Sequence, residues 1–125
     1  MLEMSKPIIN EVKALNTFAQ DTKIIGDIES DGDIRMDGGL EGNLNCKGRV
    51  VIGPEARVKG TINARNAEIL GYVEGENTVI DLLSLKGTAL ITGDLIMGKF
   101  SVEPGARFTG TCKMNGSEKT LPDLE

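Results

Sequence analysis

Alternation of apolar and polar residues dominates the sequence between residues 21 and 114 of this 125-residue chain. In one clear stretch the apolar or small positions are Ala56, Val58, Gly60, Ile62 and Ala64. The residues between them are polar or charged, and the same period of two returns in segments 34–46, 67–75, 89–97 and 106–114. Because successive side chains of a β-strand point to opposite faces, this period indicates strands with one buried face. No convincing helical period occurs in the region, so the sequence predicts an all-β domain.

A glycine-centred repeat runs through the same region. Its glycines are Gly26, Gly42, Gly60, Gly75, Gly93 and Gly110, which follow one another at intervals of 15 to 18 residues. This period is too short for a propeller blade but fits one coil of a β-solenoid made of three short strands. The sequence therefore predicts a single parallel β-solenoid of about six coils, roughly 30 Å long, with these glycines stacked in one column.

The alternation is interrupted once, in segment 76–86. We expect Val79 to point inward and a corner near Ile80 to Leu82 to reset the phase. Leu83 and Leu85 would then point into the solenoid.

The two ends of the chain do not follow the repeat. Residues 1–20 are assigned to a flexible N-terminal tail, in which one apolar stripe indicates either a short helix or an apolar tail: Ile8, Ile9, Val12, Leu15 and Phe18. Residues 115–125 are polar, contain Pro122 and are assigned to a disordered C-terminal tail. The β-domain is therefore expected to span residues 21–114, and neither a signal peptide nor a membrane-spanning run is expected.

Composition narrows the classes of function. Glycine accounts for 16 residues and aromatics for only 3%, which suits a narrow interior filled by small aliphatic side chains. A net charge of −5 argues against a nucleic-acid partner. The chain has no histidine, which removes the commonest general base and zinc ligand. Cys46 and Cys112 fall at inward positions, which predicts two buried, reduced thiols.

The sequence contains no complete motif for catalysis or for binding a metal or nucleotide. The acidic run with Asp31, Asp33 and Asp37 fails as a calcium loop, because Arg35 takes the fifth ligand position. Glycines six residues apart faintly resemble the coils of hexapeptide-repeat acyltransferases, but those enzymes use a histidine base. No phosphate-binding loop motif occurs, so no nucleotide is expected. The sequence predicts no catalytic, cofactor-binding or metal-binding residue and therefore no enzyme.

The combination of these features resembles the bactofilins, a family of bacterial polymer-forming cytoskeletal proteins. The resemblance rests on the glycine repeats, on the segments VIGPEARVKGTI (51–62) and SVEPGARFTGTC (101–112), and on the lack of aromatics. It covers about residues 21–114. It implies a right-handed β-helix of triangular cross-section, and spontaneous head-to-tail assembly into filaments in the bacterial cytoplasm without bound nucleotide.

The resemblance also implies that an N-terminal tail reaches the inner membrane. Here Lys6 and Lys13 are balanced by Glu3 and Glu11, so attraction to anionic lipid is nil. Membrane contact would depend on the apolar side chains alone, namely Leu2, Ile8, Ile9 and Val12. The alternative is that Ile8, Ile9 and Val12 fold back as a cap on the first coil.

The open ends of a solenoid are the expected polymerisation interface, because each exposes unpaired backbone groups and the apolar core. The interface residues expected at the two ends are Phe100, Val102, Phe108, Met114, Ile24, Ile25 and Ile28. The alternative for Phe108 is an internal core position covered by the tail. The contact could be head-to-head, tail-to-tail or head-to-tail, and a series that does not close makes a filament.

A lateral patch that bundles filaments or binds a partner is a further expectation, since several apolar residues point outward: Leu70, Tyr72, Leu82, Leu90 and Ile96. The sequence thus favours a cytoskeletal protein that binds itself end to end and scaffolds cell-shape or envelope proteins. This protein would lie in the cytoplasm, at the inner face of the membrane. The alternative is a monomeric β-solenoid that docks a partner on its lateral faces.

Overall fold

The computed structural model of the chain describes residues 15–114. Within this range the chain forms eleven β-strands and no helix. The strands are β1 (Leu15–Phe18), β2 (Lys23–Ile25), β3 (Ile28–Ser30), β4 (Asp33–Met36), β5 (Gly39–Cys46), β6 (Arg49–Ile52), β7 (Arg57–Ala64), β8 (Asn66–Ile69), β9 (Tyr72–Leu85), β10 (Leu90–Val102) and β11 (Arg107–Met114). All strand pairs are parallel, as required of a solenoid whose coils repeat in one direction.

The strands wind into six coils, which begin at Leu15, Asp33, Arg49, Asn66, Leu82 and Lys99. Each coil contributes one segment to each of three faces, and the long strands β9 and β10 bend around more than one face. Face 1 contains β1, β4, β6, β8 and residues 82–85 and 99–102. The predicted parallel β-solenoid of about six turns is confirmed.

The second and third faces follow in the same order along each coil. Face 2 contains β2 and residues 39–41, 57–59, 72–74, 90–92 and 107–109. Face 3 contains β3 and residues 44–46, 62–64, 77–79, 95–97 and 112–114. Three faces per coil give the rod its triangular cross-section.

The core lies along the axis of the rod and is built from the inward positions of the alternating pattern. In coil 3, for example, Val58 and Ile62 are buried, whereas Lys59 and Asn63 are exposed. The expected change of phase is also confirmed, because Val79, Leu83 and Leu85 are buried. Ile80, at the corner between them, is 62% exposed.

The glycine column at the corner between faces 2 and 3 is confirmed. Gly42 adopts a φ of +149°, and a Cβ atom there would collide with the backbone carbonyl oxygen of Gly26. The same collision with the glycine of the preceding coil recurs at Gly60, Gly75, Gly93 and Gly110. Only glycine tolerates both this conformation and this close approach of two backbones.

The corner between faces 1 and 2 has two lengths. Coils 1, 3, 5 and 6 form a protruding turn there, with residues 19–22, 53–56, 86–89 and 103–106. Each turn is closed by a backbone hydrogen bond, such as the one from Ala56 N to Gly53 O at 3.1 Å. Coils 2 and 4 have a short corner of two residues, Asp37-Gly38 and Leu70-Gly71.

The described β-structure includes Leu15–Phe18, which lie inside the segment 1–20 that the sequence assigned to the tail. Strand β1 pairs with β4, and Phe18 packs against the core instead of extending a helical stripe. Pairing with coil 2 supplies backbone hydrogen bonds that a local helical pattern cannot reveal. Residues 1–14, including Leu2, Ile8, Ile9 and Val12, and residues 115–125 lie outside the described residues.

Candidate assembly interface

The N-terminal end of the rod exposes part of the core. Phe18, Ile24 and Ile28 point inward in coil 1 and are half-buried, because coil 2 packs against only one side of them. Ile25, also expected at this end, belongs instead to the outward column that continues with Glu41 and is 74% exposed. Two of the three isoleucines therefore contribute to the end surface, and Ile25 lies on face 2.

The C-terminal end has the same character. Phe100 and Phe108 are half-buried against coil 5, whereas Val102 and Met114 are 52% and 49% exposed. All four occupy inward columns, whose members one coil deeper are fully buried: Leu83, Ile91, Leu85 and Met97. Their exposure follows from the lack of a seventh coil among the described residues.

The prediction that both thiols are buried is correct for Cys46 and wrong for Cys112, which is exposed. Cys112 does occupy an inward column, next to Leu95, but it lies in coil 6, and no further coil among residues 15–114 covers it. Its sulfur lies 3.8 Å from that of Met97. Burial raises the pKa of the Cys46 thiol, so this group is held in the neutral form.

Both ends also present unpaired backbone groups. Within residues 15–114, β1 pairs only with β4 and β11 pairs only with β10. The outer N–H and C=O groups of these strands can therefore accept another strand. Within the described part of the chain, each end of the rod combines an open strand edge with an apolar cross-section.

The two end coils differ in charge. Coil 1 carries Lys23 together with four carboxylates, Asp21, Asp27, Glu29 and Asp31. Coil 6 carries Glu103 together with three cations, Lys99, Arg107 and Lys113. Charge alone therefore favours contact between unlike ends, whereas the apolar surface and the open backbone groups are common to both ends.

The five residues of the expected lateral patch do not form one surface. Tyr72 and Leu90 are neighbours on face 2, with Leu70 at the adjoining short corner. Leu82 lies on face 1 and Ile96 on face 3, because outward residues are distributed around a triangular rod.

Tyr72 is held by polar neighbours on face 2. The guanidinium carbon of Arg57 lies 5.8 Å from the centre of the Tyr72 ring. The Tyr72 hydroxyl donates a 2.8 Å hydrogen bond to Glu74, which raises the pKa of Tyr72. Both contacts restrict the ring on an exposed surface.

A ladder of charged side chains, missed by the sequence analysis, crosses four coils. Arg49 contacts Glu68 at 2.9 Å, and Lys86 contacts Glu68 at 3.4 Å and Glu103 at 3.3 Å. The hydrogen bond to Glu103 is the main cause of the raised pKa of Lys86. Aligning the repeats coil by coil does not reveal this ladder, because Arg49 lies opposite Asn66 and Glu68 lies opposite Ser84 in the strand register.

Asn77 is the other residue that the sequence analysis missed. It is fully buried between Ile62 and Leu95 on face 3, and its side-chain amide has no hydrogen-bond partner among the described residues. An unpaired amide in an apolar core costs free energy. The sequence repeat does indicate that Asn77 is unusual, because the position two residues after the column glycine is apolar in the other coils.

The described residues offer no feature of a catalytic centre. Residues 15–114 contain no group of three or more His, Cys, Asp or Glu side chains placed to hold a metal ion. In the same range no helix is long and apolar enough to cross a membrane. The features that remain for a functional role are the two ends of the rod and its lateral surfaces.

Comparison with known proteins places the fold in a family. A family model described as bactofilin, polymer-forming cytoskeletal, matches residues 16–113. The solenoid and this match define a polymer-forming cytoskeletal protein of bacteria. The chain belongs to the bactofilin family, whose members are structural proteins of the cytoskeleton and not enzymes.

Two curated relatives from Myxococcus xanthus are similar to the chain. Bactofilin BacO is 28% identical over 96 residues, which cover 77% of this chain and 76% of BacO. Bactofilin BacP is 26% identical over 95 residues, which cover 76% of this chain but only 40% of BacP.

Two solved structures from Thermus thermophilus are also similar. A cryo-EM reconstruction of double helical bactofilin filaments has 34% identity and a TM-score of 0.75, covering 78% of this chain and 96% of its own. A crystal structure of a bactofilin point mutant has 33% identity and a TM-score of 0.69, covering 72% of this chain and 100% of its own.

Proposed function

We propose that this protein assembles end to end into filaments of its own copies, without bound nucleotide. The observation that carries the proposal is the open core cross-section at both ends of the described rod. Ile24 and Ile28 are only half-buried at the N-terminal end, and Val102 and Met114 are about half exposed at the C-terminal end. The Thermus thermophilus relative was reconstructed as double helical filaments, which supports assembly of this chain too.

Stacking of ends is favourable for two physical reasons. It removes apolar side chains from water, and it gives the outer backbone groups of the end coils hydrogen-bond partners. An added coil repeats the geometry that every interior coil already has. A contact that leaves the opposite end of each copy open continues into a filament.

The filament would act as a scaffold for cell-shape or envelope proteins in the bacterial cytoplasm. Its link to the inner membrane would be the apolar side chains near the N terminus, Leu2, Ile8, Ile9 and Val12. The same side chains could cap coil 1 instead. Removing residues 1–14 distinguishes these roles: loss of vesicle binding supports the membrane link, whereas faster polymerisation supports the cap.

The test introduces a charge into the end surface. We expect Phe108→Arg and Phe100→Arg to leave a folded protein that no longer pellets as polymer, because a guanidinium would be buried without a partner at the contact. The measurements are ultracentrifugal pelleting and negative-stain electron microscopy without nucleotide, with circular dichroism to verify the fold.

Thr92→Arg, an exposed position on face 2, is the matched control and should pellet like the wild type. Unchanged pelleting of both phenylalanine variants would contradict the proposal. A wild-type protein that stays a monodisperse monomer of 13.4 kDa would favour the alternative, a binding module that docks a partner on its lateral faces.

A further inference from the structure

A groove of about 530 Å³ runs along the edge between faces 3 and 1, through coils 1 to 4. One wall belongs to face 3 and includes Asn45 and Asn63, whose side-chain amides are joined by a 2.8 Å hydrogen bond. The other wall is the outward column at the corner itself, which consists of Asp31, Lys47, Arg65 and Ile80. Small residues such as Ala64 lie between the two walls, so the groove is open to a chain segment.

Ile80 is the unusual member of the corner wall. The wall is charged in coils 1 to 3 and becomes apolar in coil 4, where Ile80 is 62% exposed. In coil 5 the same position is Gly98, which has no side chain, so the wall ends there. A large apolar side chain in water at the end of a groove favours an occupant that covers it.

The segment of the chain that begins beside this groove is residues 1–14, which lie outside the described residues. Leu15 starts face 1 at the same edge and pairs with Asp33, two residues after Asp31. The segment therefore joins the rod about one coil spacing from the first residue of the corner wall. Residues 1–14 reach about 46 Å when extended, whereas coils 1 and 4 are only about 14 Å apart, so the segment can follow the whole groove.

The charges beside the groove change sign along its length. Coil 1 contributes the carboxylates of Glu29 and Asp31, and coils 2 and 3 contribute the cations of Lys47 and Arg65. Lys47 lies 3.7 Å from Asp31, and Arg65 lies 3.5 Å from Asp81, but all four side chains are more than half exposed. Such exposed pairs are weak and can exchange partners with a docked segment.

The segment carries complementary groups in the same order. Counting back from Leu15, Lys13 would lie beside the carboxylates of coil 1, and Glu11 would lie between the cations of coils 2 and 3. Ile9 would then reach Ile80, because four residues of extended chain span about 13 Å and three coil spacings about 14 Å. Lys13, Glu11 and Ile9 alternate along the chain, so an extended segment presents all three to one side.

We propose that residues 1–14 dock in this groove of their own chain, with Ile9 packed against Ile80. The docked segment lies along the side of the rod and leaves the end surface at Ile24 and Ile28 uncovered, which distinguishes it from a cap on coil 1. The inference therefore does not depend on the proposed end-to-end assembly. Membrane contact through Ile9 would require the segment to leave the groove.

Trypsin cleavage after Lys13 tests the docking in the full chain. Lys13 is the useful site in the segment, because the bond between Lys6 and Pro7 resists trypsin. We expect Ile80→Gln to raise the rate of this cleavage about ten-fold, because the docked segment loses its apolar contact. The matched control is Leu90→Gln, at an exposed apolar position on face 2, which should be cleaved at the wild-type rate. Mass spectrometry follows the cleavage, and circular dichroism verifies the fold.

A designed disulfide provides a second, direct measurement. Ile9→Cys and Ile80→Cys are combined in a chain that also carries Cys46→Ser and Cys112→Ser, and the protein is oxidised with copper phenanthroline at low concentration. We expect a disulfide within one chain, because docking brings the two Cα atoms within about 7 Å. The control replaces Ile80→Cys by Leu90→Cys and should not form the disulfide.

The proposal is overturned if wild type and Ile80→Gln are cleaved after Lys13 at the same rate, or if no disulfide joins positions 9 and 80 within one chain. A disulfide that forms only between two chains would place the segment on a neighbouring copy and would also overturn it. Slow cleavage that Ile80→Gln leaves unchanged would indicate the cap on coil 1 instead.

Discussion

Interior coils and end coils carry the same sequence pattern but bury it to different extents. Met97 and Met114 are the same residue in the same inward column of adjacent coils, yet Met97 is fully buried and Met114 is 49% exposed. Gly60 and Gly26 share a φ of +139°, yet a Cβ atom at Gly60 would meet backbone and one at Gly26 would meet open space. The exposure and the free space therefore depend on whether a neighbouring coil is present, and not on the type of residue.

This comparison shows that, within residues 15–114, the end coils carry the pattern of the interior core and no specialised cap. Monomeric solenoids commonly end in a polar or helical capping element. In residues 15–114 the last coil instead repeats the interior pattern up to Met114. The apolar side chains of the end coils become buried when another coil is added, and a second copy can provide one.

The largest effect is expected for alanine in the glycine column. Gly60→Ala adds a collision with the Gly42 carbonyl to an unfavourable φ, so we expect a loss of about 4 kcal/mol or more, or failure to fold. Gly26→Ala incurs only the unfavourable φ and should cost about 1–3 kcal/mol. Urea unfolding of both variants in the Phe108→Arg background, where polymerisation does not add stability, measures the difference.

Equal losses of unfolding free energy in Gly60→Ala and Gly26→Ala would contradict the comparison of interior and end coils. Polymerisation provides a second measurement of the same comparison. Gly26→Ala places a methyl group on the open N-terminal end, so without the Phe108→Arg change it should polymerise less than the wild type.

The methionine pair gives an intermediate effect. Met97→Ala should lose about 2–5 kcal/mol of unfolding free energy, as large-to-small core substitutions do. Met114→Ala should lose less than about 1 kcal/mol in the same non-polymerising background, because half of its side chain is already in water. Chemical denaturation measures both losses of unfolding free energy. A loss for Met114→Ala as large as that for Met97→Ala would mean that the C-terminal end is covered.

The last substitution in this series is expected to stabilise the protein, whereas the others destabilise it. Asn77→Leu replaces an unpaired buried amide with a side chain of similar size, and should stabilise the protein by about 1–3 kcal/mol. The matched control is Asn63→Leu, an exposed position of the preceding coil, which should change stability by less than about 1 kcal/mol. Destabilisation by Asn77→Leu would mean that the amide has a partner in solution.

The sequence predicted the repetitive part of the fold well, because one rule applies in every coil. Period-two alternation identified the inward residues, and glycine spacing identified the column at Gly42, Gly60 and Gly93. Even the change of phase at Ile80 could be predicted, since the apolar residues on both sides had to point inward.

Features that depend on which coil is first, last or shorter could not be predicted in this way. Cys112 has an inward pattern, but its exposure depends on the missing neighbour. Strand β1 forms because coil 2 offers it an edge, and its own four residues carry no strong strand signal. The sequence analysis placed the outward apolar residues in one patch because they are all apolar. The corners of the rod instead distribute Leu82, Leu90 and Ile96 over three faces.

The assignment of strands to faces also has a practical meaning for fusion proteins. The described chain enters the rod at Leu15 on face 1 and leaves it at Met114 on face 3, and these faces meet at a single edge. Both residues also belong to the end coils, so a label placed next to either of them would lie at an end of the rod. A fluorescent label inserted at an exposed position of an interior coil, such as Thr92 on face 2, would avoid both ends.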